Sequence, residues 1–363
     1  MRKLAALLLL LFLAPTPSFA ATTITLTEGS HQQFDGKFFD DSLATSLMPS
    51  GRLGKMIFEI PAGYRIWKVD GQLIEEVQAM ASGYKLVNGK DGLGSEIAKQ
   101  WLARFSAISK YDQVSALPYG NPSGYWINRF IPSQKDLFLK SGADVLSKYY
   151  GHSISAPSNF ENYQYFQLTP YQSQTFADAQ KALSSSGKYL LPAEIQAFQL
   201  RASAIFNQDL STHWRNLLAK DLSANTDLLL QKIRLAPGRF TISAHKQDLP
   251  ITVINDFSNP ASLILNISEM NGRIQAVNRI SVKLEGKSRV QVKIPVEVLT
   301  SGDSAIDVGI TDEKGKTLGL DVLYPITSRV ISPIATWITY IAAIILFVSA
   351  LFRSLRRIRK RSR

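Results

Sequence analysis

The chain has 363 residues and no cysteine, which excludes a disulfide framework, a thiol nucleophile and a cysteine metal site. Its net charge is +12, but seven of the cations lie at 353–363 and two lie among the first three residues. The rest of the chain carries about +3, so the composition predicts no nucleic-acid partner.

Residues 1–20 are predicted to form a secretory signal peptide. Arg2 and Lys3 precede an apolar run at 4–14, and Ser18-Phe19-Ala20 fits a small-x-small cleavage site. The apolar run is too short to span a bilayer core of about 30 Å. We therefore expect the mature chain to begin at Ala21, outside the membrane. An uncleaved signal anchor is the alternative.

Residues 21–209 are predicted to form an α/β domain. Stretches with the spacing of strands and of helices alternate there: 64–69, 72–81, 95–109, 114–117 and 133–150. Such alternation is typical of a largely parallel sheet with helices packed on it. Residues 210–237 are predicted to be a helical connector.

Residues 238–328 are predicted to form an all-β, immunoglobulin-like sandwich. About seven short runs of alternating apolar and polar residues follow one another, separated by turn sequences such as Asn271-Gly272 and Ser301-Gly302. The missing cysteine pair excludes an antibody-type domain but leaves the architecture open.

One transmembrane helix is predicted at 333–352, followed by a basic cytoplasmic tail at 353–363. The stretch 334–352 contains no charge and, at about 1.5 Å per residue, is just long enough for the bilayer core. Basic flanking residues stay on the cytoplasmic side. We therefore expect a single-pass plasma-membrane protein with its N-terminus outside and its C-terminus in the cytoplasm. The span and the basic tail would contact membrane lipid.

Six segments carry a resemblance to a known family: Phe39–Ala44, Trp67–Asp70, Ala116–Pro122, Leu210–Arg215, Ala236–Ile242 and Pro250–Asn255. Together and in this order they resemble uncharacterised actinobacterial cell-envelope proteins, often encoded beside a homologue of the lipid II flippase. The resemblance implies a signal peptide, an α/β ectodomain, a membrane-proximal β-sandwich, one span and a basic tail. The chain is short between Tyr119 and Leu210, so we expect a reduced, barrel-like α/β fold. The resemblance implies no particular activity.

Polar residues follow two of the predicted strands. Asp70 ends the first strand, and Tyr119 and Asn121 come after the second. Because α/β folds place their sites at the carboxyl ends of parallel strands, these three residues are candidates to line a shared cleft. The alternative is that Asp70 caps the helix that begins near Gln72.

Asp41 follows Asp40, and this pair is similar to the paired aspartates of metal-dependent polysaccharide deacetylases. That chemistry needs a metal held by an aspartate and two histidines one helical turn apart. None of the four histidines lies within four residues of another. We predict no metal and no cofactor, and favour the alternative that Asp41 or Ser42 caps a helix beginning near Leu43.

Aromatic residues are dense over 149–171. Tyr163 and Tyr165, beside the amides of Asn162 and Gln164, are candidates to stack on sugar rings. Alternatively they belong to the core, since a buried aromatic side chain removes about 150–250 Å² from water.

The sequence thus predicts a non-enzymatic envelope protein whose extracytoplasmic part binds cell-wall glycan or a membrane protein of wall synthesis. The alternative is a glycan-modifying, deacetylase-like hydrolase or its inactive descendant.

Overall fold

A computed structural model describes residues 21–329 and 333–361 of the chain. The predicted signal peptide at 1–20 lies outside these residues. Contacts divide the chain into two compact units: unit 1 consists of Met1–Leu183 and Pro192–Asp227, and unit 2 consists of Ser184–Leu191 and Leu228–Arg363.

Unit 1 contains a three-stranded parallel sheet in the order β1-β2-β3. The strands are β1 (Thr22–Leu26), β2 (Arg65–Val69) and β3 (Gln113–Ala116). The central strand pairs with both neighbours, and its Trp67 and Val69 are fully buried. All three strands therefore end at the same edge of the sheet.

Nine α-helices accompany this sheet in the described part of the chain: α1 (Ser42–Leu47), α2 (Arg52–Phe58), α3 (Gly71–Ala81), α4 (Ser95–Ser109), α5 (Gly124–Phe130), α6 (Lys135–Tyr150), α7 (Pro170–Ser186), α8 (Pro192–Ala202) and α9 (Thr212–Leu230). Helix α7 belongs to unit 1 through Leu183, and α9 belongs to it through Asp227. One apolar core packs around the sheet and includes Trp101 and Phe105, whereas a second lies among the later helices and includes Phe176 and Phe206.

The predicted barrel-like α/β fold is wrong. No described strand lies between Ala116 and Ile233, and the intervening chain forms helices. The reason is visible in α6, whose buried residues Phe138, Leu139, Ala143 and Leu146 recur at the spacing of one helix face. Three parallel strands form an open sheet rather than a closed barrel.

Unit 2 contains two sheets with the orders β4-β6-β10-β8 and β5-β12-β11-β7-β9. Their strands are β4 (Ile233–Leu235), β5 (Phe240–Ile242), β6 (Lys246–Asn255), β7 (Ala261–Glu269), β8 (Ile274–Ala276), β9 (Arg279–Leu284), β10 (Ser288–Val298), β11 (Gly302–Asp312) and β12 (Val322–Ser328). The prediction of about seven strands at 238–328 is corrected to eight, β5 to β12, and β4 lies within the predicted connector at 210–237. All pairs are antiparallel except β5 with β12.

The final helix, α10, extends over Pro333–Arg361. The predicted span and the described basic residues through Arg361 therefore form one continuous helix rather than two separate segments. The described apolar side chains of this helix, including Trp337 and Phe352, are exposed. Within 21–329 and 333–361, no helix combines the length and the apolar character needed to cross a membrane. The predicted transmembrane helix, and with it the predicted fold class, is corrected accordingly.

Candidate functional site

The loops that follow β1, β2 and β3 meet at the carboxyl edge of the parallel sheet, beside a small pocket of unit 1. We call this the strand-end pocket. Its polar lining includes Gln72, Glu75, Glu76, Tyr119, Arg201 and Asp221. These residues come from α3, from the loop after β3 and from two later helices, so distant parts of the sequence meet here.

Asp70 is the first residue after β2 and caps α3. Its Oδ1 accepts hydrogen bonds from the backbone N–H groups of Gln72 at 2.9 Å and Gly120 at 2.8 Å. The side chain is fully buried, and Oδ2 has no hydrogen-bond partner among the described residues. Burial, assisted by the charge of Glu76, raises the pKa of Asp70 to about 8. The residue thus ties the loop after β3 to the start of α3.

Glu76 joins the loop after β1 to the same helix. Its Oε1 accepts from Ser30 Oγ at 2.6 Å and from Gln72 Nε2 at 3.1 Å, and its Oε2 accepts from the backbone N–H of His31 at 2.9 Å. Burial raises the pKa of this carboxyl. Sequence reasoning missed Glu76, although an acid within the buried stripe formed by Leu73, Val77 and Met80 was an available signal.

Tyr119 and Asn121 lie at the same edge as Asp70, as predicted from their positions after β3. The Tyr119 hydroxyl donates to Glu75 at 2.6 Å, and burial followed by the charge of Glu75 raises the pKa of Tyr119. Asn121 is buried and donates through Nδ2 to Thr27 Oγ1 at 3.3 Å. Of these three predicted residues, Tyr119 lines the pocket, whereas Asp70 and Asn121 hold the surrounding loops together.

Asp41 does not line the strand-end pocket. It precedes α1 but makes no side-chain cap; its carboxylate accepts from the Tyr84 hydroxyl and, at 3.2 Å, from the backbone N–H of Leu93. The N–H of Ser42 is bound instead by Asp40 at 2.8 Å. In the described part of the chain, no group of three or more histidine, aspartate and glutamate side chains is arranged to hold a metal ion.

A second candidate surface of unit 1 consists of Tyr125, Tyr163 and Tyr165, which we call the tyrosine patch. These side chains are 38%, 44% and 60% exposed, so Tyr163 and Tyr165 are not core residues. The rings of Tyr125 and Tyr165 are 5.2 Å apart and nearly perpendicular. The ring centroids of Trp126 and Tyr165 are 5.7 Å apart, and Trp126 is buried, so its ring packs against the patch from the protein interior.

The loop that carries Tyr163 and Tyr165 is anchored to the start of α5. Gly124 N–H donates to the carbonyl of Asn162 at 2.8 Å, and Ser123 Oγ donates to the carbonyl of Gln164 at 2.6 Å. A Cβ at Gly124 would lie 2.8 Å from Tyr163 Cε1, so the absence of a side chain there allows the ring to pack closely. These contacts position the patch before any ligand binds.

Solved structures give only partial and distant similarities. Alpha-2-macroglobulin from Escherichia coli, in its native conformation, shares 24% identity with a TM-score of 0.22, over 27% of this chain and 6% of that chain. WR4, a C. elegans MSP family member, shares 9% identity with a TM-score of 0.22, over 27% of this chain and 99% of that one. The ASH/PapD-like domain of human CEP192 shares 15% identity with a TM-score of 0.21, over 28% of this chain and 88% of that one.

The chain spans only 6% and 16% of two of the macroglobulin structures to which it is similar. TM-scores of this size indicate neither a shared overall fold nor a shared function. A search of curated proteins gave no significant match.

A family profile described as "Family of unknown function (DUF6049)" matches residues 143–362. This confirms that the chain is a member of an uncharacterised family, without bearing on its organism, its export or a neighbouring flippase. Since the matched residues make up more than half of the sequence, the protein belongs to the DUF6049 family, whose function is unknown.

Proposed function

We propose that the protein is an interaction protein of the cell envelope and that its tyrosine patch binds cell-wall glycan. The observation that carries this proposal is the exposure of the neighbouring rings of Tyr125 and Tyr165 beside the buried Trp126, with the exposed Tyr163 on the same anchored loop. Exposed aromatic groups that are clustered rather than scattered mark binding surfaces more often than chance exposure does.

Tyrosine rings suit a glycan because one side chain offers an apolar face and a polar hydroxyl. They also have few rotatable bonds, so little conformational entropy is lost when they become fixed in a complex. Here Tyr163 is already held through its hydroxyl, which donates to Asn159 Oδ1 at 3.0 Å. This preorganisation reduces the free-energy cost of binding.

The envelope setting of this proposal rests on the resemblance to actinobacterial envelope proteins, which also suggests export and a partner in wall synthesis such as a lipid II flippase homologue. The exposed apolar side chains of α10 support a second partner, membrane lipid. Arg353 and the basic residues after it would add electrostatic attraction to anionic headgroups, about 1 kcal/mol for each cation near the surface.

Co-sedimentation of the purified protein with insoluble cell-wall glycan tests the proposal. We expect wild-type protein to be retained and Tyr165→Ala to bind about tenfold more weakly, which corresponds to about 1.4 kcal/mol. Tyr111→Ala is the matched control, because Tyr111 is also an exposed tyrosine of unit 1 but lies outside the patch. Failure of the wild-type protein to bind, or equal retention of both variants, would refute glycan binding by the patch.

A further inference from the structure

The strand-end pocket is small, and its polar groups share the lining with Phe34, Ala204 and Leu218. Its volume is about 20 Å³ by the measure in which one water molecule occupies roughly 10–15 Å³. A sugar ring or a nucleotide is too large for this space. The pocket instead admits a single polar end group of a larger molecule.

Gln72 leaves an acceptor without a partner in this pocket. Its side chain is only 6% exposed, and its Nε2 donates to Glu76. Its Oε1, however, receives no hydrogen bond from any described residue. A Cβ at Gly120 would lie 2.5 Å from this oxygen, so the glycine leaves the space that the amide borders. This oxygen is not fully enclosed by protein, so water or a ligand in the pocket can donate a hydrogen bond to it.

The lining favours a cation over a neutral molecule because acids outnumber cations there, even though burial raises the pKa of Glu76 and of Asp221. Glu75, Glu76 and Asp221 contribute three carboxyl groups, whereas Arg201 is the one cation among the lining residues. Arg201 donates to the Gln33 carbonyl at 2.6 Å and to Gln32 Oε1 at 3.3 Å. Over the described residues it forms no ion pair with a carboxylate. The acids are therefore not neutralised by direct contact with the arginine.

We propose that the strand-end pocket binds a primary ammonium group, which donates to Gln72 Oε1 and to the carboxylates of Glu75 and Asp221. An ammonium has three N–H donors, no acceptor and one positive charge, and so matches a small pocket lined by acceptors with an excess of negative charge. An amino sugar or a peptide amine can present such a group. This site is independent of the tyrosine patch and of glycan stacking there.

Titration of the purified full chain with ethylammonium chloride, monitored by saturation-transfer NMR, tests the proposal. Tetramethylammonium chloride at equal ionic strength is the matched probe, because it keeps the charge but has no N–H donor. We expect ethylammonium to bind at least tenfold more tightly than tetramethylammonium. Equal binding of the two probes, or complete displacement of ethylammonium by an equal concentration of sodium chloride, would overturn the proposal.

Substitutions locate the site. Glu75→Gln and Asp221→Asn are each expected to weaken ethylammonium binding at least tenfold, whereas Glu96→Gln, an exposed acid of α4 outside the pocket, is expected to leave it unchanged. Unchanged binding by both pocket variants would also overturn the proposal. If either variant does not fold, as judged by its melting curve, the comparison of the two probes with wild-type protein still decides the question.

Discussion

Replacing Asp70 by Asn is expected to stabilise unit 1 at alkaline pH. Asp70 is fully buried, and burial raises its pKa from 3.8 to about 8. Between these values the folded protein retains a proton that the unfolded chain has released. The free energy of unfolding therefore falls as the pH rises through this range.

The size of the effect follows from the pKa shift. A shift of about four units, at about 1.4 kcal/mol per unit, removes roughly 5 kcal/mol of stability between pH 4 and pH 9. Asparagine keeps an Oδ1 that accepts from Gln72 and Gly120, but its Nδ2 replaces the unpartnered Oδ2. An unpaired buried donor costs about 1–3 kcal/mol. We therefore expect Asp70→Asn to gain about 2–4 kcal/mol at pH 9 and to lose about 1–3 kcal/mol below pH 4, where Asp70 is protonated in both states.

Urea denaturation at several pH values, followed by tryptophan fluorescence, measures this effect. Four of the five tryptophans belong to unit 1, so the signal reports mainly on that unit: Trp67, Trp101, Trp126 and Trp214. Wild-type stability is expected to decline from pH 4 to pH 9 relative to that of Asp70→Asn. A constant difference between the two proteins over this range would refute the reasoning.

Three further predictions concern other parts of the chain. Asp112→Asn is expected to lower the free energy of unfolding by about 1–3 kcal/mol in urea denaturation at pH 7. Burial acts to raise the pKa of Asp112, but hydrogen bonds from Arg65 and Trp67 hold this pKa below its ordinary value. The loss of stability should therefore fade as the pH falls below 3.8 and through the folded-state pKa. Gly124→Ala is expected to reduce glycan retention several-fold in co-sedimentation, because the added Cβ displaces Tyr163. Removal of 330–363 is expected to abolish co-sedimentation with anionic lipid vesicles.

Each of these predictions has a control or an outcome that would contradict it. An Asp112→Asn loss that is as large at pH 2 as at pH 7 would contradict the linkage argument. Gly272→Ala adds a Cβ with no atom within 4 Å and should leave glycan retention unchanged. For the truncated chain, neutral vesicles and high salt separate apolar attachment by α10 from attraction between the basic residues and the headgroups.

Local sequence patterns were sufficient to locate many of the elements. In β10, alternation places Val292, Ile294 and Val296 in the core and exposes Lys293, which is the pattern of a strand with one face toward water. The helix after Asp70 was also located, because its buried residues recur at helical spacing. Such patterns report which face of an element is buried, but not how elements assemble, so the expected reduced, barrel-like fold and the predicted span were wrong.

The strand-end pocket was only partly predictable for the same reason. Asp70, Tyr119 and Asn121 were expected at a common edge because parallel strands end together, but only Tyr119 of the three lines the pocket. Arg201 and Asp221 come from helices far along the chain, and no local spacing relates them to β2 or β3. Their place in the pocket depends on how α8 and α9 pack in unit 1, which is a property of tertiary structure.

A stretch of six residues after β3 serves both candidate surfaces. Tyr119 lines the pocket, whereas Ser123 and Gly124 hold the loop that bears Tyr163 and Tyr165. If a ligand in one place moves this stretch, the affinity of the other place changes, and thermodynamic reciprocity then requires the same factor in each direction. Residues 119–124 are thus the short segment of unit 1 that contacts both candidate surfaces.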